Sequence, residues 1–249
     1  MRKTVAIIQA RMGSTRLPGK VMKKLCGQTI LAHDIERVKQ ARTLDDIVVA
    51  TTISDADDII FTESLKCGVK VFRGSEKDVL SRYYFAATEH GANIVVRITS
   101  DCPLIDPKVI DNIVAFFKEG GYDIVANVGS DLSKRTYPRG LDTEVFSYAA
   151  LQEAYNNANE IYQREHVTPY IYENAKRLFY FKNDVDYSQY RWTLDTEEDW
   201  QLIQKLYEHL YHGKHDFYLA DILNLIEQNP ELCEINKDIE QKKLKGGEY

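Results

Sequence analysis

Residues 4–20 read TVAIIQARMGSTRLPGK, an apolar run short enough for a buried strand and then a loop carrying Arg11, Arg16 and Lys20 with Gly13 and Gly19. Glycines let a backbone approach a ligand closely, and cations beside them suit phosphate. Neither common nucleotide cradle fits. A Walker A loop reads G-x-x-x-x-G-K-[ST], the last hydroxyl serving the metal. Here Ser14 to Pro18 separate Gly13 from Gly19, one residue too many, and Val21 follows Lys20. The dinucleotide pattern G-x-G-x-x-G is absent. The loop uses the same physics in a different frame.

Working outward, strand and helix patterns alternate. ILAHDIERVKQA carries an apolar stripe of Leu31, Ile35 and Val38 at helical spacing. DIVVATT, VKVFRG, NIVVRITSD and YDIVANV read as short strands. ADDIIFTESLKCG and EKDVLSRYYFAATEHG read as helices stopped by Gly68 and Gly91, and PKVIDNIVAFFKEGG as one opened by Pro107. This order predicts an α/β fold, with a mostly parallel sheet covered by helices on both faces.

The second half is less regular. YAALQEAYNNA and REHVTPYIYENA read as helical, with Pro169 early in its helix or bending it. LFYFKND and YRWTLDT read as strands, and TEEDWQLIQKLYEHLY and DFYLADILNLIEQNP as helices. The simplest account is a single domain over residues 1–249, with a smaller β-containing excursion at about 130–190 and a flexible tail at about 236–249.

Composition narrows the function. A net charge of -6 disfavours general nucleic-acid binding but leaves room for a local cation cluster. No apolar run approaches the roughly 20 residues needed to cross a bilayer, and MRKTVAIIQA reads as a first strand, not a signal peptide. Cys26, Cys67, Cys102 and Cys233 are scattered without C-x-x-C, as expected of reduced thiols in a cytoplasmic protein.

In an open parallel sheet, ligands collect at the carboxyl ends of the strands. The loops expected there carry Arg11, Ser14, Thr15, Arg16 and Lys20, then Thr51 and Thr52, then Asp101, then Asp195. Cations and backbone N–H groups suit the phosphates of a nucleoside triphosphate, and isolated carboxylates suit Mg2+, a hard ion that prefers oxygen.

These residues also carry a resemblance. IIQARMGSTRLPGK resembles the opening loop of the cytidylyltransferases that activate sugar acids, such as CMP-Kdo synthetase, and GQTILAHDIERV is similar to the helix entry after it. IVVATT resembles the family's second strand, with Thr52 where Asp is usual. SDCPLID resembles its metal-binding turn and LDTEEDW its late acidic element. RGSEKDVLSRYY and RGLDTEVF resemble segments of SpsF-like spore coat polysaccharide biosynthesis proteins. The sequence departs from CMP-Kdo synthetase at Thr99–Pro103, where Gln-Gly-Asp-Glu-Pro is expected, and at GSEKDVLSR, where a Ser-Gly-Thr element is expected.

The resemblance implies a Rossmann-like nucleotidyltransferase fold, CTP and a sugar-type acceptor as partners, Mg2+ as cofactor, and a homodimer. It implies nucleotide contacts from Ala10, Arg11, Gly13, Ser14, Arg16, Lys20, Thr51, Thr52, Arg73 and Asp101. Among these, Arg11, Lys20 and Asp101 are expected to be catalytic. Asp101 and Asp195 are the expected metal ligands. Arg97, Arg139, Gly140, Asp142, Glu144, Glu165 and His166 are expected near the acceptor. The competing reading of Asp101 and Asp195 is helix capping, although Thr196 is the better cap, and Asp106, Glu197 and Glu198 suit helix starts. Arg97 needs a partner, either Asp78 or a substrate anion. Asp78 and Arg82, four apart on one helix, could instead pair with each other. The rival functions are a sugar-1-phosphate guanylyl- or uridylyltransferase and a non-catalytic nucleotide-binding regulator.

Overall fold

The computed structural model describes residues 2–129 and 131–240. Nine strands appear among them: β1 (Thr4–Gln9), β2 (Lys24–Leu25), β3 (Gln28–Thr29), β4 (Asp46–Thr52), β5 (Lys70–Gly74), β6 (Ile94–Thr99), β7 (Ile124–Ala126), β8 (Glu144–Ser147) and β9 (Leu178–Tyr180). The helices are α1 (Ile30–Val38), α2 (Asp58–Lys66), α3 (Val79–Glu89), α4 (Pro107–Gly120), α5 (Tyr148–Asn157), α6 (Ile161–His166), α7 (Pro169–Asn174), α8 (Glu197–Leu210) and α9 (Leu219–Gln228).

Seven strands form one sheet in the order β5-β4-β1-β6-β8-β7-β9. All its pairings are parallel except those of β8, which runs antiparallel to β6 and β7. The central parallel strands β1, β4 and β6 are mostly apolar because both their faces are buried, whereas the edge strands β5 and β9 are half-exposed. Side chains alternate across the sheet. Ala6, Ile8, Val49, Val96 and Ile98 pack on one face with Leu31, Ile110 and Ile203. Val5, Ile7, Val48 and Val95 pack on the other with Leu80, Tyr83 and Leu151.

Short polar side chains define where the helices start. Thr29, Asp78, Asp106 and Ser147 each accept a backbone N–H from the first turn of α1, α3, α4 and α5. Thr196 caps α8 in a reciprocal box with Asp199. The chain order reverses between β1 and β6, so the crevice at their carboxyl ends is the topological switch point.

Several expectations are corrected. YRWTLDT is no strand; it makes only an isolated bridge, Arg139 to Arg191. REHVTPYIYENA is two helices, because Val167 turns to φ 74°, ψ -58° and Pro169 opens α7. The flexible tail does not begin at 236: Asn236 is buried, and its amide donates to Arg191 O and Asp199 Oδ1. Residues 241–249 of that tail lie outside the described residues. The β2–β3 hairpin and the strand β8 were not anticipated, being too short to show a period. No helix among the described residues is long and apolar enough to cross a membrane.

A histidine pair ties α1 to the segment before α9. His33 Nδ1 lies 2.8 Å from His215 Nε2, and His33 Nε2 lies 2.7 Å from Leu25 O. Nε2–H of His33 can donate to that carbonyl, leaving Nδ1 to accept from His215. Burial pushes the His33 pKa down and, with the positive charges of His33 and Arg37 nearby, that of His215 down to about 4. Below the unfolded value near 6.5, the unfolded chain takes up protons that the folded chain refuses. Stability is therefore full at pH 7 and falls as the pH drops from about 6.5 toward 4. Urea unfolding should show a loss of stability over that window, and His215→Gln should flatten the slope.

Candidate active site

Three cations and three carboxylates meet at the switch point. Gly19 adopts φ 64°, a conformation that favours glycine, and opens the short 3-10 turn Lys20–Met22. Lys20 projects from this turn with Nζ 2.7 Å from Asp101 Oδ2 and 2.7 Å from Asp195 Oδ1. Asp101 follows the end of β6, and Thr99 Oγ1 donates to its Oδ1 at 2.6 Å. Asp195 is delivered next to it because Leu194 N–H donates to Asp101 O at 2.8 Å. Arg16 and Arg191 also reach Asp195 Oδ2, at 2.9 and 3.0 Å.

Burial opposes ionisation of both Lys20 and Asp101, but their mutual attraction and hydrogen bonds win. Lys20 is held above the ordinary lysine value, and Asp101 is held down at about 2. Asp101 caps no helix, since Asp106 is the cap of α4, and Thr196 leaves Asp195 free of the capping task. Asp195 and Asp101 thus converge on a single ammonium.

Behind them sits a second knot that sequence reasoning missed. Asp199 is fully buried and accepts from Arg191 Nε and Nη2, from the N–H groups of Asp195 and Thr196, and from Asn236. Burial opposes the Arg191 charge, and Asp199 and Asp195 outweigh it, raising its pKa. Nothing in the sequence separated Arg191 and Asp199 from ordinary surface charges.

The remaining expected residues divide. Arg11 is exposed, with Glu76 its ion-pair partner at 3.7 Å. Ala10 is buried, while Gly13 and Ser14 continue the loop. Thr51 is fully buried with an unpaired hydroxyl, and Thr52 gives its hydroxyl to Asp57. Arg73 is occupied by the protein itself, donating to Thr52 O, Ser54 O and Asp58 Oδ1 at 2.8, 2.8 and 2.6 Å.

On the other side, Arg97 pairs with Glu144 directly across β6 and β8, not with Asp78. Tyr172 donates to the other Glu144 oxygen at 2.8 Å. Asp78 pairs with Arg164, while Arg82 donates to Ser75 O at 3.1 Å. Asp142 pairs with buried Arg135. Arg139 lies beside Arg135 and Arg191; burial, then the Arg135 charge, lower its pKa. A Cβ on Gly140 would lie 2.6 Å from the Trp192 backbone, so that close approach requires glycine. Glu165 is exposed and His166 partly buried, on the last turn of α6.

Residues 5–239 match the family model described as Cytidylyltransferase. The chain belongs to the cytidylyltransferase family. Members are nucleotidyltransferase enzymes, and so is this chain. An uncharacterized protein of Methanocaldococcus jannaschii is 41% identical over 244 residues, covering 96% of this chain and 97% of the relative. The spore coat polysaccharide biosynthesis protein SpsF of Bacillus subtilis is 32% identical over 237 residues, covering 93% and 97%. A solved cytidylyltransferase from Leptospira borgpetersenii is 35% identical, with a TM-score of 0.87 over 98% of this chain and 100% of that one. The family match extends to residue 239, beyond Asn236 and the buried Arg191–Asp199 knot.

Arg191→Met would leave Asp199 buried without its guanidinium, although its backbone donors remain. Urea unfolding should show a loss of about 2 kcal/mol, larger than for Arg16→Met at the exposed rim of the same cluster.

Proposed function

We propose that the protein transfers CMP from CTP to a sugar-type acceptor, with release of pyrophosphate and dependence on Mg2+. The observation that carries this reading is the convergence of Asp101 and Asp195 on one cation at the switch point. The donor set fits Mg2+: two carboxylates whose oxygens already meet a single positive charge. A Mg2+ site of this kind is completed by substrate phosphates and water. When bound, the ion supplies neutralisation of phosphate charge.

The chain's own residues then have distinct tasks. Arg11, Arg16 and Lys20 bind the outer phosphates and stabilise the leaving pyrophosphate. An acceptor oxygen attacks the α-phosphorus in line, and the bond to the bridging oxygen of pyrophosphate breaks. Positioning and charge account for the rate, as in phosphoryl transfer generally. The acceptor lies toward Arg97, Arg139, Asp142, Glu144, Glu165 and His166. The relative SpsF supports a place in polysaccharide biosynthesis. Exposed Leu132, Phe179 and Val185 in the excursion support a homodimer formed there.

Charge balance links the two ligands. Lys20, Arg16 and Arg191 offset Asp101, Asp195 and Asp199. A divalent ion alone adds unmatched positive charge and meets an ammonium in its place. A triphosphate draws Lys20 and Arg16 outward and frees the carboxylates. Lys20→Met should therefore bind Mn2+ more tightly than wild type without nucleotide, by about tenfold, and bind CTP more weakly. Titration of Mn2+ by electron paramagnetic resonance measures the first effect and calorimetry the second.

Thermal shift with CTP, UTP, GTP and ATP, each with Mg2+ or chelator, tests the base and the metal together. Stabilisation by CTP alone, lost with chelator and in Asp101→Ala, is expected. Stabilisation by GTP or UTP instead would move the protein to the sugar-1-phosphate branch.

A further inference from the structure

We propose that Asp57 is a positioning residue for the triphosphate, fixing the loop of residues 10–20 against the carboxyl end of β4. The inference rests on the nucleotide reading above. Asp57 is 2% exposed. Its Oδ1 accepts the backbone N–H of Met12 at 2.8 Å, and its Oδ2 accepts the N–H of Thr52 at 3.3 Å and the Thr52 hydroxyl. That hydroxyl in turn accepts the N–H of Ser54 at 3.1 Å.

An aspartate at the start of a helix ordinarily serves as its cap. Asp57 occupies the cap position of α2, yet its side chain makes no capping bond there. Its carboxylate is turned wholly toward the two loops. A buried carboxylate needs hydrogen-bond donors, and each donor Asp57 has found belongs to a segment that shapes the crevice.

Met12 is the organising residue of the first segment. Its carbonyl accepts Ser14 N–H at 2.8 Å, and its methyl lies 3.2 Å from where a Cβ on Gly19 would sit. Holding Met12 therefore sets the path on both sides of Gly13. On the second segment, Ile53 and Ser54 line an open surface depression with Gly74, Ser75, Glu76 and Lys77. Glu76 is also the partner of Arg11. Asp57 joins the loop for the phosphates to the rim of that depression. It touches no ligand atom itself.

Replacing Asp57 with Asn keeps the shape but turns an amide N–H2 toward Thr52 N–H or Met12 N–H. The loop then loses its fixed path, and the phosphates meet donors that must be ordered on binding. The test is calorimetric titration of CTP with Mg2+, and of inorganic tripolyphosphate, into wild type, Asp57→Asn, Asp57→Ala and the control Asp55→Asn. Asp55 is an exposed acid in the same short turn.

The expected result is that Asp57→Asn weakens both ligands about tenfold, equivalent to about 1.4 kcal/mol. Asp55→Asn should match wild type for both ligands. Asp57→Asn that melts earlier but binds both ligands with wild-type affinity would reduce Asp57 to a stabilising residue and overturn the inference alone. Wild type that binds none of the four nucleoside triphosphates would overturn the nucleotide reading and this inference with it.

Discussion

The ammonium of Lys20 between Asp101 and Asp195 is the constraint on which the crevice depends. Three segments far apart in the chain bring one charge each to a point that excludes most water. None of the three could be buried alone, because an unpaired buried charge costs several kcal/mol, roughly 3–5 when a partner is removed. The strands, caps and turns around them are therefore placed by a common requirement. Gly19 turns the chain so that Lys20 can reach inward. Thr99 steadies Asp101, and Asp199 with Arg191 steadies the backbone that carries Asp195.

The two sides of the crevice are built differently. On one side the loop of residues 10–20 is held at Met12 by Asp57 and at Arg16 and Lys20 by Asp195 and Asp101. The other side rests on β8, which runs antiparallel to both its neighbours in the large sheet. Its register sets Glu144 opposite Arg97, and Tyr172 from α7 closes the group. Arg135 with Asp142 adds a second pair nearby. Removing Glu144 would strand Arg97, and removing Asp142 would strand Arg135, each largely buried.

Much of the architecture was legible in the sequence. Strands buried on both faces must be apolar throughout, and a glycine or proline must stand where the chain turns, so the order of elements in the first half could be read directly. The loop cations, Asp101 and Asp195 were legible for a related reason: the ends of such strands are where polar residues stand out. Arg191, Asp199, Arg135 and Asp57 were not legible. Their burial is created by distant partners, and an acid or arginine in sequence looks the same on a surface or in a core. Arg73 illustrates the reverse case, a cation at a strand end whose guanidinium is consumed by nearby carbonyls. YRWTLDT misled because its aromatic and apolar residues serve packing, while its backbone pairs only once with a neighbour. The break at Val167 also left no mark, since a buried β-branched residue seldom takes a positive φ.

Asn236 has a consequence for how the molecule is made. The first parallel strands, including those around the signature loop, leave the ribosome early and can pair as they emerge. Asp199, which carries the backbone of Asp195, takes a hydrogen bond from a residue 37 positions further on. The sheet can thus exist before its charge centre does, and that centre is completed only when nearly all of the described chain has been synthesised. A nascent chain halted before that point would hold the loop of residues 10–20 without the last bond supporting the carboxylate it faces. Vectorial synthesis itself thereby withholds a finished site until the fold around it is closed.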